Sequence, residues 1–214
     1  KGFAGEHVVR EIRMRLAIAV MAVSAFAGEL SKGERDQAMS HLHATRKQVL
    51  DLLAPLSDAQ LKFKAAPERW SILECAEHIT ETEVMLRGLV QATAKKAPVD
   101  DAKREARKAQ EAERMKGLIT QMTDRSKRAS APGEIQPKGR FASKDAVVAA
   151  FKERRDETIK WVESTPDDLR GKFFKTGATS ESDLYEMIFF ISAHSERHLL
   201  QMKEVMAAAG FPKR

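Results

Sequence analysis

The sequence predicts an all-α protein, an up-down four-helix bundle with a charged helical insertion between its second and third principal helices. Glycine and proline are sparse, at 11 and 7 of 214 residues. The polar segments are rich in Ala, Glu, Lys, Arg and Leu, which are good helix formers. Few stretches alternate polar and apolar residues with period two, as a half-buried strand does. Amphipathic helices that share one core and connect up and down are the economical packing for this pattern.

Capping signals assign the principal helices in chain order. A serine with glutamate three residues later, just before an apolar run, marks a helix start. Ser31 with Glu34 and Ser71 with Glu74 give two such starts, and a short helical turn is predicted after Ser57. The four principal helices are predicted over 32–54, 72–94, 144–163 and 181–209, with Ser143 and Ser180 capping the last two.

The connection between the second and third principal helices is long and charged. The stretch DDAKREARKAQEAERMK at 100–116 interleaves acids with bases, as a solvated helix face does. It predicts one helix from Asp100 to about Lys127, inside an insertion spanning 95–130. Residues 129–143 hold two prolines and two glycines and are predicted to be loop. The segment LRGKFFKTGAT, ahead of the last helix, is predicted to be loop or a short extended excursion.

Length and composition indicate one domain behind a leader. A chain of 214 residues with 43% hydrophobic content can bury a substantial core. The segment MRLAIAVMAVSAFAG at 14–28 places a base, a short apolar run and Ala-Phe-Ala before Gly28, the pattern of a secretory signal. The run is shorter than the roughly 20 apolar residues that cross a bilayer. We therefore predict a leader over 1–27, a single bundle domain over 28–214, and no stable membrane insertion.

The leader also determines the predicted location. A cleaved signal predicts a secreted or periplasmic protein, and an uncleaved segment predicts a cytoplasmic one. The alternative for this segment is an amphipathic first helix packed on the bundle. The single cysteine, Cys75, excludes an internal disulfide framework and a cysteine-built zinc site.

Charge argues against a nucleic-acid partner. The net charge is +6, but bases and acids are mixed along the chain rather than blocked. Aromatic residues make up only 6% of the chain, and none lies in the most charged stretch, so no platform for base stacking is visible. Nucleic-acid binding is therefore not predicted.

Three histidines are candidate metal ligands. His194 and His198 are four residues apart, one turn along the same face of the last helix, close enough to share a metal. His78 lies at the edge of the buried stripe of the second principal helix. Three histidines from two helices with an open fourth position is the ligand count of a catalytic zinc site. The alternative is a set of hydrogen-bonded histidines at the edge of the core.

Two segments carry a resemblance to a known family. The stretch APERWSILECAEHI, followed far downstream by FFISAHSERHLLQMKEV, resembles the DinB/YfiT-like superfamily. The resemblance implies a DinB-like four-helix bundle whose metal is held by one histidine of the second helix and an HxxxH pair of the last. Here those residues are His78, His194 and His198. Zinc, nickel or a similar divalent ion is implied, with water or substrate as the fourth ligand.

The resemblance also sets the functional hypotheses. Family members with known activity include transferases that use low-molecular-weight thiols, so a small-molecule substrate, a thiol among the candidates, is expected. The first hypothesis is a metal-dependent transferase or hydrolase whose metal activates a thiol or water. Glu74 and Glu81 flank His78 by one turn and are candidate general bases or hydrogen-bond partners, with surface carboxylates as the alternative.

The second hypothesis is a binding or structural protein. In this case the metal only joins the second and last helices, or it binds an exported ligand. A closed site, or a fourth protein ligand such as His41, would favour the joining role. His41 and His43 are two residues apart on the first helix, so at most one of them can reach the bundle centre. The sequence leaves the oligomeric state open; bundles of this kind often form a homodimer through exposed apolar helix faces, and a homodimer is the candidate assembly.

Overall fold

The computed structural model describes residues 28–127, 130–175 and 181–213. This part of the chain folds into seven helices and a two-stranded hairpin. The helices are α1 Lys32–Leu53, α2 Asp58–Lys62, α3 Ile72–Lys96, α4 Asp101–Lys108, α5 Glu111–Thr123, α6 Lys144–Ser164 and α7 Leu184–Met206. The strands are β1 Phe173–Lys175 and β2 Glu181–Asp183, which pair antiparallel between α6 and α7. The predicted all-α four-helix bundle is confirmed, with α1, α3, α6 and α7 as its principal helices.

Part of the sequence analysis concerns residues outside this description. The leader predicted over 1–27 and the cap predicted at Ser180 both fall there. Within the described ranges, no helix is both long enough and apolar enough to cross a membrane.

Serine residues cap the N-termini of α1 and α3, as predicted. The Ser31 hydroxyl accepts the N–H of Glu34, whose carboxylate in turn accepts the N–H of Ser31. The same reciprocal pair forms between Ser71 and Glu74. Each exchange satisfies two backbone N–H groups that have no acceptor within the first helical turn. Ser57 begins α2 and Ser143 begins α6 by the same kind of side-chain bond.

The last helix begins later than predicted. Residues Glu181–Asp183 are extended and pair with β1, so they cannot belong to the helix. Asp183 caps α7 instead, accepting the N–H of Glu186 at 2.7 Å in another capping box. The helix ends at Met206, shortly before Gly210, whose φ of 83° is typical of the residue that terminates a helix.

The charged segment forms two helices rather than the single one predicted over Asp100 to Lys127. The chain turns after α4, and α5 then packs along α7. Arg107 of α4 and Arg114 of α5 both donate to the buried carboxylate of Glu186, at 3.2 and 2.6 Å. Both arginines therefore share one buried acceptor, whereas the sequence analysis placed the charges of this stretch on a solvated helix face.

Successive principal helices run in opposite directions, except that α6 runs in the same direction as α3. Helices α6 and α7 each pack against both α1 and α3. Arg154 of α6 contacts Thr80 of α3, and Thr158, one turn further along α6, contacts Arg87, two turns further along α3. Residue numbers thus rise in the same direction on both helices, so α3 and α6 run parallel. The principal helices therefore run up, down, down, up. A long connection between α3 and α6 is needed to return the chain to its starting end, and 97–143 provides it.

The core consists of two apolar clusters separated by a polar layer. The fully buried guanidinium of Arg155 forms a two-bond pair with Glu83, at 2.9 and 2.8 Å. It also donates to the hydroxyls of Thr45 and Ser195, at 2.6 and 2.8 Å. Leu42 belongs to the cluster on one side of this layer. The layer joins all four principal helices at one level, next to the turn of α7 that carries the candidate histidines.

Candidate metal centre

The structure brings the three predicted histidines together. His78 comes from α3, and His194 and His198 come from successive turns of α7. One nitrogen from each ring lies within 4.8 Å of the other two. The Nε2 atoms of His78 and His194 are 3.2 Å apart. Because α3 and α7 run antiparallel side by side, a single position on α3 faces the i and i+4 pair of α7.

The outer nitrogens of two rings have hydrogen-bond partners. The Nδ1 of His78 lies 2.7 Å from the backbone carbonyl of Ile135, and the Nδ1 of His198 lies 3.0 Å from the side-chain oxygen of Gln201. A carbonyl oxygen only accepts, so each Nδ1 carries the proton and donates. Each Nε2 therefore presents its lone pair, and it is these atoms that a metal ion would need.

The spacing of these nitrogens fits a divalent ion. Two ligands of one tetrahedral zinc ion, each about 2.05 Å from it, lie about 3.3 Å apart. The 3.2 Å between the Nε2 atoms of His78 and His194 is close to this value. Without a cation, one of the two nitrogens must carry a proton, because two lone pairs at this distance repel. Neutral imidazoles suit zinc, nickel and related ions.

The surroundings keep all three imidazoles neutral: His78 and His198 are buried, and His194 is half-buried. Loss of solvation, together with a smaller contribution from the neighbouring His78, lowers the pKa of His194 to about 3. Burial also lowers the pKa of His78 and takes the pKa of His198 well below its ordinary value. A metal ion needs the unprotonated ring. The site is therefore prepared for a cation at neutral pH.

These pKa shifts predict how acid affects the metal-free protein. His194 has a folded pKa near 3 against 6.5 in the unfolded chain, so below pH 6.5 the unfolded chain binds protons that the folded protein does not. Folding stability must then fall as the pH falls. Between pH 6.5 and about 5.5, His194 alone should cost about 1 kcal/mol of unfolding free energy.

Urea denaturation in the presence of a chelator measures this effect, with His194→Gln as the reference. The difference between the two proteins cancels other groups, such as Asp183, whose pKa burial raises to about 7. The wild type should lose about 1 kcal/mol more than the variant over this pH range. Equal losses would contradict the low pKa assigned to His194 in the folded protein.

Two aromatic rings line the histidine cluster. Trp70 lies against His78 and His198, with ring centroids 4.9 and 5.9 Å apart. Phe190 lies nearly parallel to His194, at 6.4 Å. Trp70 is half-buried and precedes the cap of α3. The site therefore has apolar walls, and such walls limit the access of water and strengthen electrostatic interactions inside.

The long connection supplies the rest of the surroundings. Arg197, between His194 and His198 in sequence, donates to the backbone carbonyls of Met122, Asp124 and Lys127 at 2.9, 2.7 and 2.6 Å. These carbonyls lie at and just after the end of α5, where a helix leaves its acceptors free. The predicted insertion is thus fixed beside the histidine-bearing turns of α7.

The two glutamates predicted as candidate bases have other partners. Glu74 completes the capping box of Ser71 and bonds Lys64 at 2.9 Å. Glu81 pairs with Arg154, at 2.5 Å, and lies 3.9 Å from the guanidinium of Arg140. The structure thus places both carboxylates in ion pairs, and a catalytic role for them stays a prediction.

The other candidates lie in ordinary structural positions. His43 is exposed, and the ring of His41 packs edge-on against Phe189 at 4.8 Å. Cys75 is buried in an apolar cluster, where burial raises the pKa of its thiol. Sequence reasoning missed Ile135 as a neighbour of the histidines, since no local signal marks a carbonyl acceptor in a loop. It also missed Phe190, although Phe190 lies four residues before His194 on the same helix, a spacing that brings side chains together.

Comparison with known proteins adds three findings. The sequence profile of the DinB superfamily matches residues 41–202. The uncharacterized protein YuaE of Bacillus subtilis (strain 168) is 23% identical over 167 residues, covering 78% of this chain and 96% of YuaE. The structure of YfiT from Bacillus subtilis superposes with a TM-score of 0.56 at 14% identity, over 86% of this chain and 92% of YfiT. YfiT is described as a probable metal-dependent hydrolase with an unusual four-helix bundle topology.

Proposed function

This chain belongs to the DinB superfamily, and we propose that it is a metal-dependent enzyme of the hydrolase or transferase type. The observation that carries the proposal is the cluster of His78, His194 and His198, with one nitrogen of each within 4.8 Å of the others. A divalent ion bound there, zinc or nickel by ligand type, would lower the pKa of a water or thiol and polarise a small electrophilic substrate.

The residues around the cluster support an open fourth position. Among the residues that the structure describes, only these three histidines form a group able to hold a metal ion. His41, the fourth ligand that a purely structural site would need, lies against Phe189 instead. Three protein ligands with one free position is the arrangement of catalytic rather than structural zinc sites.

The protein's own groups would orient and enclose the reactants. Ile135 and Gln201 fix which nitrogen of His78 and His198 is protonated, and hence the direction of each lone pair. Trp70 and Phe190 provide flat apolar surfaces on two sides. A small substrate with an apolar portion, either a thiol-bearing compound or an ester or amide, fits these walls.

An activity screen tests the proposal. We expect the zinc- or nickel-loaded protein to turn over one member of a panel of small esters, amides and thiol–electrophile pairs. Chelation should abolish turnover and reloading should restore it. His198→Ala should lower kcat/KM by more than about a hundredfold, because loss of a group that only orients a ligand already costs about 10–100-fold. The His43→Ala variant is the control and should keep full activity.

Two results would contradict the proposal, and each points to a different conclusion. Turnover that survives chelation would contradict a metal-dependent reaction. A tightly bound metal with no turnover across the panel would favour the non-catalytic role, in which the ion joins α3 to α7.

A further inference from the structure

A buried carboxylate next to His78 binds a loop. Glu77 is 2% exposed and precedes His78 on α3. Its two oxygens accept the backbone N–H groups of Lys138, Gly139 and Arg140 at 2.7, 3.0 and 3.1 Å. The guanidinium of Arg140 adds a bond at 3.0 Å. Successive backbone amides that converge in this way form an anion-binding nest, and here the anion is the protein's own side chain.

The same loop holds the partner of His78. Besides Glu77, Arg140 donates to the carbonyls of Gln136 and Glu134, at 3.1 and 2.9 Å. Ile135 lies between these two residues, and its carbonyl accepts the Nδ1–H of His78 at 2.7 Å. Arg140 therefore fixes the backbone on both sides of the one carbonyl that meets His78.

We infer that Glu77 is a positioning residue for the metal centre, acting on His78 through the loop 134–140. Without its carboxylate, three backbone amides and the Arg140 guanidinium would lose a buried acceptor. The loop would then leave α3, and His78 would lose the carbonyl that sets its tautomer and ring orientation. The inference rests on the proposed function, because it assigns how that same site is held.

Zinc affinity of the full chain tests this inference, measured by competition with a chromophoric chelator. Glu77→Gln should weaken zinc binding by about 10–100-fold, the usual effect of losing a partner that orients a metal ligand. Glu186→Gln is the matched control, because Glu186 is also a buried carboxylate that accepts from arginines. It binds Arg107 and Arg114, has no contact with the loop 134–140, and should leave zinc affinity unchanged.

A second readout separates this inference from the proposed function. In the metal-free protein labelled with ¹⁵N-histidine, the Nδ1–H of His78 should give a slowly exchanging proton signal. Glu77→Gln should abolish that signal, and Glu186→Gln should keep it. If the wild type binds no metal, the proposed function fails while this measurement still decides the role of Glu77.

A milder variant tests the same inference in case Glu77→Gln does not fold. Gly139 has a φ of 72°, and an added Cβ would meet nothing within 4 Å. Gly139→Ala therefore strains the loop without creating a clash or removing a charge. It should weaken zinc binding and speed exchange of the His78 proton, in the direction of Glu77→Gln. Folded variants that keep both the affinity and the proton signal of the wild type would overturn the inference.

Discussion

Replacing His194 by alanine is expected to weaken zinc binding by more than about a hundredfold, because a partner that only orients a ligand is already worth about 10–100-fold. His194 supplies the nitrogen 3.2 Å from that of His78 and belongs to the cluster in which the ligand atoms lie within 4.8 Å. Its removal leaves two protein ligands, fewer than the three of catalytic zinc sites. Competition with a chelator at pH 7 measures the change.

The control for this variant is another histidine of the same chain. His43 is exposed on α1, so His43→Ala removes an imidazole without touching the cluster. It should bind zinc as the wild type does. Equal affinity of His194→Ala and the wild type would show that zinc binds elsewhere.

The largest expected effect on stability comes from the polar layer of the core. Replacing Glu83 by alanine should lower the unfolding free energy by about 3–5 kcal/mol, because it leaves the buried charge of Arg155 without its partner. The side chains are 1% and 0% exposed, so water cannot replace the lost carboxylate. Urea denaturation measures the change, provided that the slope with denaturant stays constant.

Two comparisons test whether the loss of stability comes from the unpaired buried charge of Arg155. Glu157 pairs with Arg87 on the surface, where its side chain is 53% exposed, and Glu157→Ala should cost less than about 1 kcal/mol. The double variant Glu83→Leu with Arg155→Met removes both charges and should cost less than Glu83→Ala alone. A loss for Glu83→Ala no greater than that for Glu157→Ala would contradict the role assigned to the layer.

The parts of the fold that could be predicted depend on local signals. Ser31 and Ser71 begin their helices because the partner in each capping box is only three residues away. His194 and His198 could be paired on one helix face for a similar reason, since the helix repeat alone brings i and i+4 together. His78 required a relation between two helices, which the family resemblance supplied.

The parts that escaped prediction depend on distant partners. Arg155 and Glu83 are 72 residues apart, and charged side chains are assigned to the surface unless a buried partner is known. Glu77 stands beside His78 in sequence, but its partners are backbone amides 61 to 63 residues away. The late start of α7 also depends on a distant partner. Its first predicted residues form β2 and pair with β1, a segment for which the sequence predicted either loop or a short extended stretch.

The path of the connection 97–143 could not be predicted either, because it too depends on distant contacts. Its charges predicted one solvated helix, whereas α5 packs on α7 and the following loop reaches His78. The chain has to return between the parallel helices α3 and α6, and this requirement becomes visible only once the helix directions are known.

Metal content tests the central claim most directly. The full chain, purified without a histidine tag, would be analysed by mass spectrometry beside His194→Ala, before and after incubation with zinc and nickel. A divalent metal near one equivalent in the wild type, lost in the variant, is the result that the histidine cluster predicts. A wild-type protein that carries no metal and takes up neither ion would contradict it, and the three histidines would then be hydrogen-bonded residues at the edge of the core.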